Sequence, residues 1–243
     1  MASPGSRATG SLHTPAAGGE VRYTLLEQGD DELIVLKWPG TACSLTTDPH
    51  KRSLQAQLQQ RLGLSRVYLV HRLDRVSCGI VVVALSQDVA AFHGARIQAR
   101  GWTKLYVARL LAPGQGGSEA LIGPHRRFLR TKRGRTEIVR SGGKPSSLEI
   151  LAIGGSPGRR GELCALIQLH TGRRHQIRAI LADLGAPLAG DRLYGGGEGP
   201  IYLEHVWLRF PGYPDGALRT VWAPAPQFRE PWPSAVEAAI PRL

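Results

Sequence analysis

The most constraining stretch of this chain is Ile80 to Leu85, six apolar residues in an unbroken run. A run this short, rich in valine, reads as a buried strand. Just upstream, Val67-Tyr68-Leu69-Val70 is a second short run of β-branched and aromatic residues, and it reads the same way. Between them lie His71-Arg72-Leu73-Asp74 and then Ser77-Cys78-Gly79. A carboxylate set between two core strands is costly to bury unless a cation meets it. Taken alone, the stretch is most simply a structural ion pair that closes a turn, since such pairs also perturb charged groups. Only matching pieces elsewhere can give it another meaning.

Local patterns define the other elements. Glu32 to Trp38 is a strand stopped by the turn pair Pro39-Gly40. Ser53 can cap a short helix reaching Leu62, with Leu54, Leu58 and Leu62 on one face. Gln87 to Arg100 is a helix packed through Val89, Phe92 and Ile97, and Gly101 is placed to end it as a left-handed cap. Thr103 to Leu111 alternates polar and apolar residues, the pattern of a half-exposed strand. Ser146 to Ile153 and Glu162 to His170 form an antiparallel pair. Thr171 to Arg174 turns into a helix whose Ile177, Ile180, Leu181 and Leu184 make one apolar face. Gly190 to Gly195 is a loop. Tyr202 to Phe210 and Leu218 to Trp222 are late strands, and Ser234 to Ala239 is a last helix. Many strands with few helices between them predict an α+β fold, a mixed, largely antiparallel sheet with flanking helices.

Residues 1–19 are rich in Ser, Gly, Ala and Pro and are expected to be a flexible tail, with residues 20–243 forming a single domain. The tail lacks the apolar centre of a secretory signal, and its single Arg7 is thin support for an organelle-targeting peptide. No apolar stretch approaches the ~20 residues that a membrane-spanning helix needs. Cys43, Cys78 and Cys164 have no C-x-x-C spacing and are odd in number, which argues against a zinc site or a disulfide framework and suits a reducing, cytoplasmic setting. Lys and Arg number 31 against 19 Asp and Glu, a formal charge of +12, which favours a polyanionic partner, nucleic acid first. From Arg126 to Lys144 there are eight cations and one acid, Glu137, punctuated by Gly134, Gly142 and Gly143. This is too polar for core and reads as a basic loop, either merely solvated or gripping RNA through Arg127, Arg130, Lys132 and Arg133.

Four stretches then fit together: His71-Arg72-Leu73-Asp74, Lys104-Leu105-Tyr106, His170 to Arg178, and Gly190-Asp191-Arg192-Leu193-Tyr194-Gly195. In order and spacing they resemble the RluA-type pseudouridine synthases, over about Glu27 to Phe210. The resemblance implies isomerisation of uridine in ribosomal or transfer RNA. Uracil is detached from ribose at N1 and reattached through C5, by a protein expected to act as a monomer without metal or cofactor. It marks Asp74 as the catalytic carboxylate, Tyr106 as the platform for a base taken out of its stack, and Arg178 as the arginine paired with the aspartate. Arg72 matches the family arginine that enters the gap left by a flipped nucleotide.

The chemistry of the residue types agrees with these roles. Breaking a glycosidic bond leaves positive charge on the sugar and negative charge on the base. A carboxylate can attack the sugar, add to the base or take a proton, and the sequence does not choose among these. To act as a nucleophile it must stay ionised, which calls for a neighbouring cation. A tyrosine offers a flat apolar face with a polar edge. Lys104, two residues before Tyr106, can reach a phosphate, and Arg173 and Arg174 precede a helix, a natural place for phosphate. His71, His175 and Gln176 read as structural supports, and Cys78 as a small buried residue.

Some positions depart from the family pattern. Ser77-Cys78-Gly79 stands where Thr-Ser-Gly is common, Lys37-Trp38-Pro39-Gly40-Thr41 where Asn-Lys-Pro-x-Gly is, Ile180 replaces a histidine, and Gly185-Ala186-Pro187 replaces Gly-His-Pro. None removes Asp74, Tyr106 or Arg178. About 25 residues precede the first strand, too few for a further RNA-binding module, so target choice is expected to lie in the catalytic domain, its loops or a partner. Two other readings compete with this one. An RNA-binding protein on the same fold need not keep Asp74, Tyr106 and Arg178 together. A kinase catalytic loop fails because no Gly-rich phosphate loop precedes His71 and no Asp-Phe-Gly follows.

Overall fold

The computed structural model describes residues 21–44, 53–114, 117–225 and 229–241. The tail expected over residues 1–19 lies outside them. The described chain opens with a hairpin of β1 (Tyr23–Gln28) and β2 (Glu32–Lys37). Helix α1 (Leu54–Leu62) follows, started by the Ser53 hydroxyl, which accepts from the Ala56 amide at 3.1 Å, and ended by left-handed Gly63. Strand β3 (Tyr68–Leu69) is shorter than the apolar run that predicts it. Strand β4 (Cys78–Ala84) is buried along its whole length, as its valines require.

Helix α2 (Gln87–Gln98) ends differently from expectation. Arg100, not Gly101, takes the left-handed conformation, with φ 59°. Gly101 donates its amide to the Arg96 carbonyl at 2.8 Å, and a side chain there would meet that carbonyl at 3.3 Å. The glycine is therefore used for close approach rather than for positive φ.

Strand β5 (Thr103–Leu111) corrects a second expectation. It is not half-exposed but buried at every residue from Lys104 to Leu110. Its alternating polar residues are accommodated individually: Arg109 donates to Glu230 and to the Pro200 carbonyl, both at 2.6 Å. Strands β6 (Gly123–Lys132) and β7 (Arg135–Val139) correct a third. The basic stretch is an antiparallel hairpin, not a loop, and β8 (Lys144–Gly155) continues from it. Its turn is Arg133-Gly134, both at positive φ (47° and 81°), the geometry that a two-residue hairpin demands. The cations do not disrupt the strands because the hairpin lies at the sheet's edge, where one face stays in water.

The rest runs close to expectation. Strands β8 and β9 (Glu162–Leu169) pair antiparallel, and α3 (Gln176–Asp183) follows the Thr171–Arg174 turn. Then come β10 (Leu203–Pro211), β11 (Leu218–Trp222) and α4 (Ser234–Ala239). One eleven-stranded sheet has the order β1-β2-β4-β10-β5-β9-β8-β6-β7, with β11 on β10 and β3 on β4. The junction of β4 with β10 is parallel, and β10 meets β5 antiparallel. At that junction only a glycine fits: a Cβ on Gly79 would lie 2.3 Å from the His205 carbonyl oxygen. The cores lie on the sheet's faces. Tyr106, Ala108 and Ile167 pack with Ile177, Ile180 and Leu181 of α3, while Leu105, Val107, Leu166 and Trp207 pack with Val236 of α4. Each leucine, isoleucine or valine among them contributes about 1.5–3 kcal/mol on full burial, enough to hold α3 fixed against β5 and β9.

Candidate active site

The loop from His71 to Ser77 precedes β4 at the parallel junction. Three local devices fix it. His71 Nε2 accepts the Val82 amide at 3.1 Å, and its ring meets Trp102 and His205 edge-on. The Ser77 amide donates to the Asp74 carbonyl at 3.1 Å. Beneath the loop, fully buried Lys37 donates to the carbonyls of Trp38 (3.0 Å), Thr41 (2.9 Å) and Ser77 (2.5 Å). Burial pulls the Lys37 amine down to about 8, with the thiols of Cys43 and Cys78 and the Asp74 carboxylate opposing.

The loop presents Asp74 with 17% of its side chain exposed. Arg178 Nη1 lies 3.7 Å from Asp74 Oδ2, and His175 Nε2 lies 4.0 Å from Asp74 Oδ1. The short bonds of Arg178 go elsewhere. Its Nε and Nη2 donate to the two oxygens of Asp191 at 2.7 and 2.8 Å, a bidentate pair with Asp191 only 1% exposed. The guanidinium also sits over the Tyr194 ring at 5.1 Å. Burial alone would lower the Arg178 pKa; the Asp191 carboxylate outweighs it and the net shift is upward. The pair expected between Arg178 and Asp74 is thus a longer contact, and the arginine is anchored by a second acid.

Tyr106 is 5% exposed. Its ring stacks on His205, centroids 4.6 Å apart and planes 15° from parallel. Burial and the Asp74 charge both raise the pKa of its phenol. Asp74, Tyr106 and Arg178 line one cavity of about 620 Å³ with Arg72, Lys104, Arg173 and Arg174. Lys104 is 7% exposed, so it belongs to the wall and does not face open solvent. Burial lowers its pKa.

Residues 31–183 match the model of the RNA pseudouridylate synthase family. The chain belongs to that family. It is 26% identical over 186 residues to an RNA pseudouridine synthase of Haemophilus influenzae, covering 75% of this chain and 80% of that protein. It is 30% identical over 180 residues to the ribosomal large subunit pseudouridine synthase D of Neisseria meningitidis, covering 70% of this chain but 46% of that one. Among solved structures, the human RNA pseudouridylate synthase domain containing 1 superposes with a TM-score of 0.65 at 26% identity, over 87% of each chain. The protein is an RNA pseudouridine synthase, an isomerase with the mixed, largely antiparallel fold predicted above.

The synthase brings seven of the eleven anticipated site residues to one cavity. The other four lie on the β6–β7 hairpin. Arg130, Lys132 and Arg133 are exposed, whereas Arg127 is tied to Asp183 at 2.6 Å. The hairpin is nevertheless fastened to the site. The Thr136 amide donates to the Tyr194 hydroxyl at 3.0 Å, and the Thr136 hydroxyl donates to the Arg174 carbonyl at 2.8 Å. Gln176 is a support, accepting from the Thr171 hydroxyl and the Arg173 amide and donating to the Ser147 carbonyl. Sequence reasoning gave no role to Asp191, Lys37 or His205. Asp191 had a signal, its place in one of the four matched stretches; Lys37 and His205 had none, because Lys37 reaches Ser77 and His205 reaches Tyr106 only once the sheet has formed. Among the described residues no helix is long and apolar enough to cross a membrane.

Proposed function

We propose that Asp74 carries the isomerisation, with Tyr106 facing the uracil and Arg178 balancing charge beside the carboxylate. One observation supports this most: three stretches far apart in sequence converge on a single cavity whose rim is cationic. The reaction breaks the bond from N1 to the sugar and makes one from C5 to the same carbon. A carboxylate at the cavity wall can meet the electron-poor sugar carbon or the base. Asp191 keeps Arg178 from folding fully onto Asp74, which leaves the Asp74 oxygens free to react.

RNA is held, in this reading, by Arg72, Lys104, Arg173 and Arg174 at the cavity and by Arg130, Lys132 and Arg133 on the hairpin. Arg127 contributes less because Asp183 already occupies it. Structured ribosomal or transfer RNA is the proposed substrate, and the ribosomal name of the meningococcal relative favours the first. The test is to map pseudouridine in ribosomal and transfer RNA from cells lacking the gene, complemented with the wild type or with Asp74→Asn. The same sites should appear with the wild type and be missing with the variant. Sites that return with Asp74→Asn would remove Asp74 from the chemistry.

A further inference from the structure

We infer that His175 is a catalytic base of this synthase, taking the C5 proton from uracil once C5 has bonded to the sugar. The inference rests on the reading of Asp74 given above. It starts from a chemical requirement. When C5 joins the sugar carbon it still bears its hydrogen. That proton must leave before the ring regains its C5–C6 double bond, so some group in the cavity must accept it.

Hydrogen-bond accounting identifies a free acceptor. The Tyr194 hydroxyl has one hydrogen, which it gives to the Thr136 carbonyl at 3.1 Å. It accepts the Thr136 amide at 3.0 Å, and its remaining partner is His175 Nδ1 at 3.1 Å. With its hydrogen on that carbonyl, the hydroxyl accepts from the imidazole, and on this arrangement the ring hydrogen is assigned to Nδ1. His175 Nε2 is then a bare lone pair on the cavity wall, 4.0 Å from Asp74 Oδ1. Two acceptors face each other across a gap in which neither can donate. A substrate C–H or a transferred proton completes the pair.

The backbone points the same way. His175 has φ 51°, an unusual conformation for a residue with a side chain, and such strain gathers at functional positions. The other rings on the wall are less suited. His71 Nε2 accepts the Val82 amide, His170 lies 3.7 Å from Glu149, and burial and the Asp74 charge both keep the proton on the Tyr106 phenol. Burial likewise keeps His175 neutral at neutral pH. Arg178 and Arg174 work in the same direction, and Asp74 and Asp191 oppose.

The step balances. The C5–H pair becomes the C5–C6 double bond, the C6–N1 pair moves to N1, and N1 is protonated from water. Nε2 holds the C5 proton as an imidazolium. Asp74, free once the carbon–carbon bond exists, faces that cation as a carboxylate. The proton then passes to solvent as the product leaves.

The test uses ribosomal and transfer RNA transcripts that the wild type modifies, made with uridine or with 5-deuterouridine. Pseudouridine is measured in single turnovers at saturating protein. His175→Asn tolerates the left-handed backbone and keeps an N–H for Tyr194, but its amide is not basic. The rate should fall by ~10²–10⁴-fold, RNA affinity should stay within about twofold, and deuterium should slow the variant more than the wild type. His175→Gly, relaxed at positive φ, should regain rate as imidazole is added, in proportion to its unprotonated fraction. An unchanged rate in His175→Asn would overturn the inference. A lost rate with neither isotope effect nor imidazole rescue would also overturn it, and would assign His175 to structure. If Asp74→Asn modified the same transcripts at the wild-type rate, the reading of Asp74 would fall first, and this inference with it.

Discussion

The floor and the rim of the cavity are built on opposite rules. On the floor two buried cations have fixed partners: Arg178 is clamped by Asp191, and Lys37 is ringed by carbonyls. On the hairpin rim Arg130, Lys132 and Arg133 stand exposed at an edge, while Arg127, the fourth cation proposed to grip RNA, is tied to Asp183. A buried ion loses much if a partner is removed. An exposed one loses little and interacts mainly through a screened field. The floor is therefore suited to holding reacting groups to a fraction of an ångström, and the rim to attracting a flexible polyanion. The two meet at Tyr194, which touches Thr136 of the hairpin, His175 and the Arg178 guanidinium.

The sharpest way to break this contrast is Asp191→Asn. It leaves a buried guanidinium with half its anchor. A loss of about 3 kcal/mol in chemical unfolding is expected, near the lower end for broken buried pairs because the amide oxygen still accepts. Single-turnover rate should fall with it, since Arg178 is free to close on Asp74. If both stability and rate held, Asp191 would be no anchor, and the floor would be as tolerant as the rim.

A second difference is visible in pH. Burial holds the His205 imidazole down to about 3, and pushes His71 well below its ordinary value. In the unfolded chain both titrate near 6.5. The unfolded state therefore binds more protons below that pH. Stability is full above about 6.5 and declines as pH falls toward 3, by about 1.4 kcal/mol per unit for each group while it remains neutral in the fold. Urea midpoints from pH 7 to pH 4 measure this. His205→Phe, which keeps a ring beneath Tyr106, should flatten the decline; an equally steep decline would mean that His205 does not titrate as its burial requires.

The rim is expected to respond only through binding. Arg130, Lys132 and Arg133 changed together to Ser should weaken affinity for many RNA sequences and flatten its dependence on log salt. The slope should change by up to about two units, at roughly 0.7 per phosphate contact. The chemical step at saturation should be unchanged. Arg127→Ser alone should scarcely move the slope, because Asp183 already holds that side chain. An Arg127 effect as large as that of the other three would show that RNA displaces Asp183.

What the sequence disclosed follows the same division between near and far. The Ser53 cap, the β8–β9 pair and the apolar face of α3 depend on neighbours in the chain and were legible. The gathering of Asp74, Tyr106 and Arg178 at one cavity was legible through motif spacing. The anchoring of Arg178 was not, because Asp191 reaches it only after a loop folds back. Nor was the burial of β5, since alternation reports one strand's own polarity and not the neighbours that cover it. The hairpin was misread because its cations mask the one local signal it has, Gly134 after Arg133 at the turn.

The most direct test sets chemistry against binding in one variant. Asp74→Asn keeps the shape of the side chain and removes its charge. It should be assayed with the wild type on the same modified transcript, for affinity and for single-turnover pseudouridine formation at saturating protein. The expected result is affinity within about twofold and no detectable product, if binding rests mainly on phosphate contacts at the rim as proposed. Product formed at the wild-type rate, or affinity lost in step with activity, would contradict the separation of floor from rim and the place of Asp74 at its centre.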